Sequence, residues 1–199
     1  MYLVYEQQNT YIMPFILFNK PYGIVSQFSG DKNTLASFID DNLVYPAGRL
    51  DKKSEGLLIL TNDGQLQARI CEPQKKLLKY YFAQVEGTPN LEQIGILKKG
   101  LTLKDGPAIA QAASLSNAPV KLWERSPPIR FRKSVPTAWV KLAINEGRKH
   151  QIRRMLAAVN LPVLRLVRWQ IGPWEINDLK LGKITVMTNK AAWSMINQH

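Results

Sequence analysis

An α+β fold built on a largely antiparallel sheet is what this sequence predicts, and three observations predict it. Six short segments rich in β-branched and aromatic residues, bounded by Gly, Pro or Asn, outnumber four segments with helical spacing. Their order is not the strict strand-helix alternation of a doubly wound parallel sheet, and no GxGxxG turn occurs. The 199 residues are 45% hydrophobic and 21% charged, with 12 Gly and 12 Pro, which is the composition of a core former and not of a disordered or fibrous chain. That length suits a single domain, residues 1–199, in which two subdomains around one cleft remain an option.

The elements follow in order. PFILFNKP (14–21) reads as a strand, and NTLASFIDDN (33–42) has helical spacing. GLLILTND (56–63) is a continuous apolar run ending in Asn62-Asp63-Gly64, a sequence that favours chain reversal. DGQLQARICEP (63–73) is a helix stopped by Pro73, and KYYFAQVEG (79–87) is a strand. NLEQIGILKKG (90–100) is a helix closed by Gly100, followed by the strand TAWVKLAIN (137–145). In GRKHQIRRMLAAVN (147–160), Ile152, Met155, Leu156 and Val159 form an i, i+3, i+4, i+7 apolar stripe. His150, Arg153 and Arg154 lie off that stripe and are free to face a cleft or solvent. LPVLRLVRWQIGP (161–173) and GKITVMTN (182–189) complete the strands.

Charge narrows the function. There are 27 Lys and Arg against 15 Asp and Glu, a net charge of +12. Residues 1–100 carry 11 basic and 10 acidic groups, whereas 101–199 carry 16 and 5, so the halves are +1 and +11. Within 121–168, twelve basic residues are interleaved with Trp123, Phe131 and Trp139, and Arg beside aromatics suits a polyanion with unpaired bases. A nucleic acid is therefore the expected partner, with RNA and DNA not separated by charge alone. The longest uncharged stretch, 106–120, contains two Pro and no membrane span is expected. The N-terminus has Glu6, no basic start and Pro14 within its apolar run, so no secretion signal is expected and the cytoplasm is the expected location. One Cys and two His leave no disulfide and no Cys/His zinc site, and neither metal nor organic cofactor is expected.

The densest chemistry lies in 48–64, GRLDKKSEGLLILTNDG, where a polar loop runs into the apolar strand. A carboxylate at the mouth of a rigid strand is well placed for catalysis, but Asp51 reads equally as a turn or capping residue, and the spacing alone does not choose. Four ordered blocks do choose. Gly48-Arg49-Leu50-Asp51 with 54–64, Asn19-Lys20-Pro21-Tyr22-Gly23 with Ser26, Lys79-Tyr80-Tyr81 with Val85-Glu86-Gly87, and 146–155 with Leu164-Arg165-Leu166, Arg168 and Ile171-Gly172-Pro173 cover roughly 15–190. Together they resemble the RsuA-type ribosomal RNA pseudouridine synthases.

The resemblance implies the pseudouridine synthase fold, a central mainly antiparallel mixed sheet with flanking helices and a basic cleft, and isomerisation of uridine to pseudouridine. It implies Asp51 as the catalytic carboxylate, Arg153 as the cation pairing with it, and Tyr81 as the residue stacking on the target base and moving a proton. Tyr80, on the other strand face, is then expected in the core. Arg49 is expected to fill the space left by the displaced base or to hold a phosphate. Lys20, Arg148, Lys149, His150, Arg154, Arg165 and Arg168 are expected to share RNA binding. A Ser-His-Asp hydrolase is rejected, because His150 would have to serve without a G-x-S-x-G motif.

Only 18 residues precede Asn19, too few for the small S4-type RNA-binding domain that most such proteins carry there. That pattern resembles the RluE branch, whose members act on 23S rRNA of the large subunit. LWERSPPIRFRKSVP (122–136) is the expected mobile RNA-binding insertion. The expected partner is ribosomal RNA, not DNA or a membrane, and the expected state is a monomer. Two alternatives stay open: a noncatalytic RNA-binding or ribosome-assembly factor on this fold, and a synthase acting on small-subunit rRNA or tRNA.

Overall fold

In the computed structural model, residues 14–30, 32–40, 43–75, 77–130 and 134–198 are described. The N-terminal segment read against a secretion signal, and Phe131 of the basic loop, lie outside them. Eleven strands and four α-helices are formed among the described residues. In chain order they are β1 (Pro14–Lys20), β2 (Tyr45–Pro46), β3 (Glu55–Thr61), α1 (Gly64–Cys71), β4 (Lys79–Glu86), α2 (Leu91–Lys99), β5 (Leu101–Leu103) and β6 (Gly106–Ala108). They continue with β7 (Ala112–Ser116), β8 (Thr137–Ile144), α3 (Gln151–Ala158), β9 (Val163–Ile171), β10 (Trp174–Glu175), β11 (Ile184–Thr188) and α4 (Asn189–Asn197).

The main sheet runs β11-β1-β3-β9-β4-β8-β7, with β2 added to β3 and β10 to β9, while β5 and β6 form a separate hairpin. Every pairing in the main sheet is antiparallel except β3 with β9, so the α+β architecture with a mixed, mainly antiparallel sheet is the one the sequence predicts. Side-chain alternation divides β1 and β3 between two cores. Ile16, Phe18, Leu58 and Leu60 share one with Tyr81, Val140, Ile94, Leu97, Met155 and Leu156, beneath α2 and α3. Phe15, Leu17, Leu57 and Ile59 share the other with Leu66 and Ile70 of α1, Trp174, and Ala192 and Ile196 of α4. Because both faces are covered, all seven residues of β3 are buried, which is why its sequence is a continuous apolar run instead of an alternating one.

Helix ends follow local chemistry. Asp63 caps α1 by accepting from Gln65 and Leu66 N–H, so the turn read at 62–64 is the start of a helix. Asn90 and Gln93 form a reciprocal capping box on α2, and Gly100 ends it at φ 98°. The helix expected over 33–42 is reduced to a single 3-10 turn at Leu35–Ser37: Thr34 caps nothing, and three residues are too few to nucleate an α-helix. The sequence reading missed α4 and the strands β5, β6 and β7, whose small and polar residues carry no strand alternation.

Gly56 fixes the one parallel contact. It has φ +104°, and a Cβ there would stand 2.3 Å from the carbonyl oxygen of Arg168 on β9. Glycine alone lets β9 approach β3 directly beyond the loop that carries Asp51.

Candidate active site

Every backbone carbonyl from Arg49 to Lys53 is taken by a donor, and four of the five donors come from distant parts of the chain. Arg168 Nη1 reaches Arg49 O (3.4 Å) and Ser26 Oγ donates to Leu50 O (2.7 Å). Ser54 N–H donates to Asp51 O (2.9 Å), Gly23 N–H to Lys52 O (2.9 Å), and Arg153 Nη2 to Lys53 O (2.7 Å). Leu50 N–H in turn donates to Ser26 Oγ (3.2 Å). A polar loop before a buried strand is therefore held as rigidly as the strand, and the Asp51 side chain is the part left to the cleft.

Asp51 is 33% exposed and lines a cavity of about 940 Å³ together with Arg49, Leu50, Tyr81, Ile152, Leu166 and Arg168. The apolar floor comes from β4, β9 and α3; the polar rim includes Lys52, Glu146, Lys149 and His150. Tyr81 is 6% exposed, sits between Leu142 of β8 and Arg168 of β9, and follows a register shift at Tyr80/Tyr81. The extra residue is Trp169 of β9, so β4 keeps its regular alternation and Tyr81 faces the cavity while Tyr80 faces away. Tyr80 is not the core residue expected: it is half-buried on the opposite face, where Lys141 lies 5.7 Å over its ring.

The basic side chains divide sharply. His150 is the one within ion-pair reach of Asp51 among the described residues, with Nε2 3.6 Å from Oδ1; its left-handed backbone (φ 51°) at the start of α3 swings the ring over the cleft. Arg153 makes no such pair. Its guanidinium is committed to Val163 O (3.0 Å) and Lys53 O (2.7 Å), so its grip is on the loop carrying Asp51. Burial lowers the Arg153 pKa from the ordinary arginine value, and the nearby Asp51 charge opposes that shift.

Several expected RNA contacts are structural instead. Lys20 is fully buried, donates to Pro21 O and Ile24 O (both 2.9 Å), and is lowered to a pKa of about 7 by burial and then by Arg168. Arg165 forms a buried two-pronged pair with Glu55 (2.9 Å each) and also donates to Trp123 O. Arg168 is 2% exposed and donates to Leu57 O (2.7 Å). These three cannot reach a phosphate without unfolding their surroundings. Arg148 and Arg154 are partly exposed but hold the β5–β6 hairpin, Arg148 at Asp105, Gly106 and Pro107 and Arg154 two-pronged at Asp105 (2.7 and 2.8 Å). Arg49 and Lys149 are exposed at the cavity with no ion pair among the described residues, which leaves them and His150 open to RNA.

Sequence reasoning missed Gly23 and Ser26 as clamps on the loop, Tyr22 and Arg125, and Lys79. Lys79 lines the cavity, with burial and then Arg168 lowering its pKa to about 8. The basic insertion is also not a free loop over its described part: Trp123 Nε1 donates to Glu55 (2.8 Å) and its ring stacks on Trp169 at 6.2 Å.

Known proteins share this arrangement. The profile of the family described as RNA pseudouridylate synthase matches residues 14–158, a span that includes Asp51, Tyr81, His150 and Arg153. A Xanthomonas axonopodis pv. citri protein named ribosomal large subunit pseudouridine synthase E is 53% identical over 169 residues, covering 82% of this chain and 88% of that protein. A Bacillus subtilis ribosomal large subunit pseudouridine synthase B is 32% identical over 178 residues, covering 87% and 68%. A crystal structure of a pseudouridylate synthase superimposes with a TM-score of 0.73 at 28% identity, covering 94% of this chain and 76% of that one. A rigid carboxylate-bearing loop over an apolar cavity, the four sequence blocks and these matches have one common explanation: the chain belongs to the RNA pseudouridylate synthase family.

Proposed function

We propose that this protein isomerises a uridine of large-subunit ribosomal RNA to pseudouridine, acting as a monomer with Asp51 as its catalytic carboxylate. The observation that carries this is the placement of Asp51, on a loop whose five successive carbonyls are all bonded, at the edge of a 940 Å³ cavity floored by Tyr81. The relatives named for the large subunit support the choice of RNA.

The uridine leaves its stack and enters the cavity, where the Tyr81 ring offers a replacement stacking surface. Asp51 attacks C1′ or stabilises charge developing there as the N1–C1′ bond breaks. The uracil turns and C5 bonds to C1′; C5 then loses its proton and N1 gains one, so the reaction neither oxidises nor adds water. Arg153 holds the loop that carries Asp51 through Lys53 O. Arg49, Lys149 and His150 take the flanking phosphates. All these groups come from one chain, and the sheet that carries them is continuous, so the described chain serves as one catalytic unit.

The test is pseudouridine mapping by carbodiimide adducts and primer extension on large- and small-subunit rRNA transcripts and on rRNA from cells lacking the gene. A single new stop in large-subunit rRNA with the wild type and none with Asp51→Asn is expected. A stop confined to small-subunit RNA overturns the target, and rRNA unchanged by gene loss overturns the enzyme in favour of a noncatalytic assembly factor.

A further inference from the structure

The basic insertion reaches the segment that clamps the Asp51 loop through a contact that neither sequence block announces. Arg125, in the insertion between β7 and β8, places its guanidinium carbon 4.3 Å over the ring of Tyr22, in the segment that follows β1. Its nitrogens are occupied: Nε donates to Pro127 O (2.8 Å), Nη1 to Leu164 O (3.3 Å) and Nη2 to Pro128 O (3.4 Å). Tyr22 is followed by Gly23, the residue whose N–H donates to Lys52 O, next to Asp51. Gly23 has φ +86°, so this turn depends on a backbone conformation that its neighbours must maintain.

Arg153 reaches the same place from the other side. Its Nη1 takes Val163 O while Arg125 takes Leu164 O, so two arginines grip successive carbonyls at the start of β9. One then reaches Lys53 O directly, and the other reaches Lys52 O through Tyr22 and Gly23. We propose that Arg125 and Tyr22 form a clasp that positions Asp51, tying the basic insertion to the catalytic loop. The proposal rests on Asp51 being the catalytic carboxylate. Arg125 is half-buried and its fork is spent on carbonyls, which distinguishes it from a cation waiting for phosphate. A planar guanidinium lying on an aromatic ring fixes that ring's orientation as a point charge does not.

The experiment measures tritium release from rRNA transcripts labelled at uracil C5, giving kcat and KM over a range of salt, with amide hydrogen exchange at Gly23 on the RNA-free protein. For Arg125→Ala, kcat falls on the order of 10- to 100-fold while KM changes less than about 3-fold, the signature of a displaced reacting group. Gly23 N–H exchange accelerates, while exchange in β3 and β9 stays slow. Arg125→Lys keeps the charge but loses the fork, and it remains defective; Tyr22→Phe keeps the ring and restores the rate that Tyr22→Leu loses. The double variant Arg125→Ala with Tyr22→Leu is no slower than the worse single variant.

A phosphate contact gives the opposite pattern, and that pattern overturns the clasp. KM rises with kcat unchanged, the salt slope falls by about one, Arg125→Lys recovers most of the affinity, and Gly23 exchange is unaltered. If the wild type releases no tritium from any transcript, free rRNA is not the substrate, and the Gly23 exchange rates alone then uphold or overturn the clasp.

Discussion

The basic side chains beneath the loop that carries Asp51 and those at its rim have the same sequence signature and opposite surroundings. Lys20, Arg165 and Arg168 are buried: Lys20 donates to the Pro21 and Ile24 carbonyls, Arg165 to Glu55 and Trp123 O, and Arg168 to the Leu57 and Arg49 carbonyls. Arg49, Lys149 and His150 are exposed around the cavity and carry no such load. A count of Lys and Arg along 121–168 treats Arg165 and Arg168 as RNA binders just as it does Lys149, yet part of that charge is scaffolding. The difference teaches that basic side chains have two fates here: inside, they satisfy buried carbonyls and a buried carboxylate, and outside, they stay exposed at the cavity, as the proposed RNA contact requires.

The largest effect should come from breaking the inner group. Arg165→Met leaves Glu55 buried with Trp123 Nε1 as its remaining side-chain donor, and a loss of about 3–5 kcal/mol in denaturant unfolding is expected. Adding Glu55→Leu should recover much of it, because the damage is the uncompensated charge and not the missing contact. If the single and double variants are equally unstable, the packing around Arg165 matters more than its charge.

Lys20 sharpens the comparison through pH. Its folded pKa is about 7 against 10.5 for the ordinary lysine, so between these values the unfolded chain holds a proton that the folded chain lacks. Stability therefore rises with pH across that window, by at most about 1.4 kcal/mol per pH unit, and is independent of this group below about pH 7. Lys79, lowered to about 8, adds to the slope at the upper end. Lys20→Met should flatten the curve between pH 7 and 10, and an unchanged slope would show that the buried amine stays protonated.

Intermediate behaviour is expected of Arg154, half-way between the groups. Arg154→Ala removes a partly exposed two-pronged pair with Asp105 and should cost no more than about 1 kcal/mol. The smallest stability change belongs to the rim. Lys149→Ala should leave unfolding within about 0.5 kcal/mol of wild type while lowering the salt slope of RNA binding by about 0.7 to 0.9. A rim variant that destabilises the fold, or an inner one that changes only RNA binding, would erase the distinction.

Much of the fold was legible because its strands are bounded by Gly, Pro and Asn and its helices carry apolar stripes. β1, β3, β4, β8 and β9 lie where local composition put them, and Ile152, Met155, Leu156 and Val159 are all buried as the stripe on α3 requires. The C-terminal helix α4 was hidden because Thr188 closes β11 and caps the helix at once, so the strand pattern runs straight into it. Tyr80 and Tyr81 show what alternation does and does not give: it puts the two rings on opposite faces of β4, but which face is covered is set by the helices packed on the sheet, so Tyr81 is buried at the cavity and Tyr80 is only half-buried.

By itself the sequence determined the fold class, the ordered blocks and the position of the loop bearing Asp51, since each is written in residues close together in the chain. Only the tertiary structure decided what each cation does. Arg153, Arg165 and Arg168 lie within sixteen positions of one another, and their fates depend on carbonyls and carboxylates as far as 119 positions away. Burial and hydrogen-bond partnership are set by which strands β9 lies between, and that pairing brings Glu55, Arg49 and Lys53 from one end of the chain to the arginines of the other.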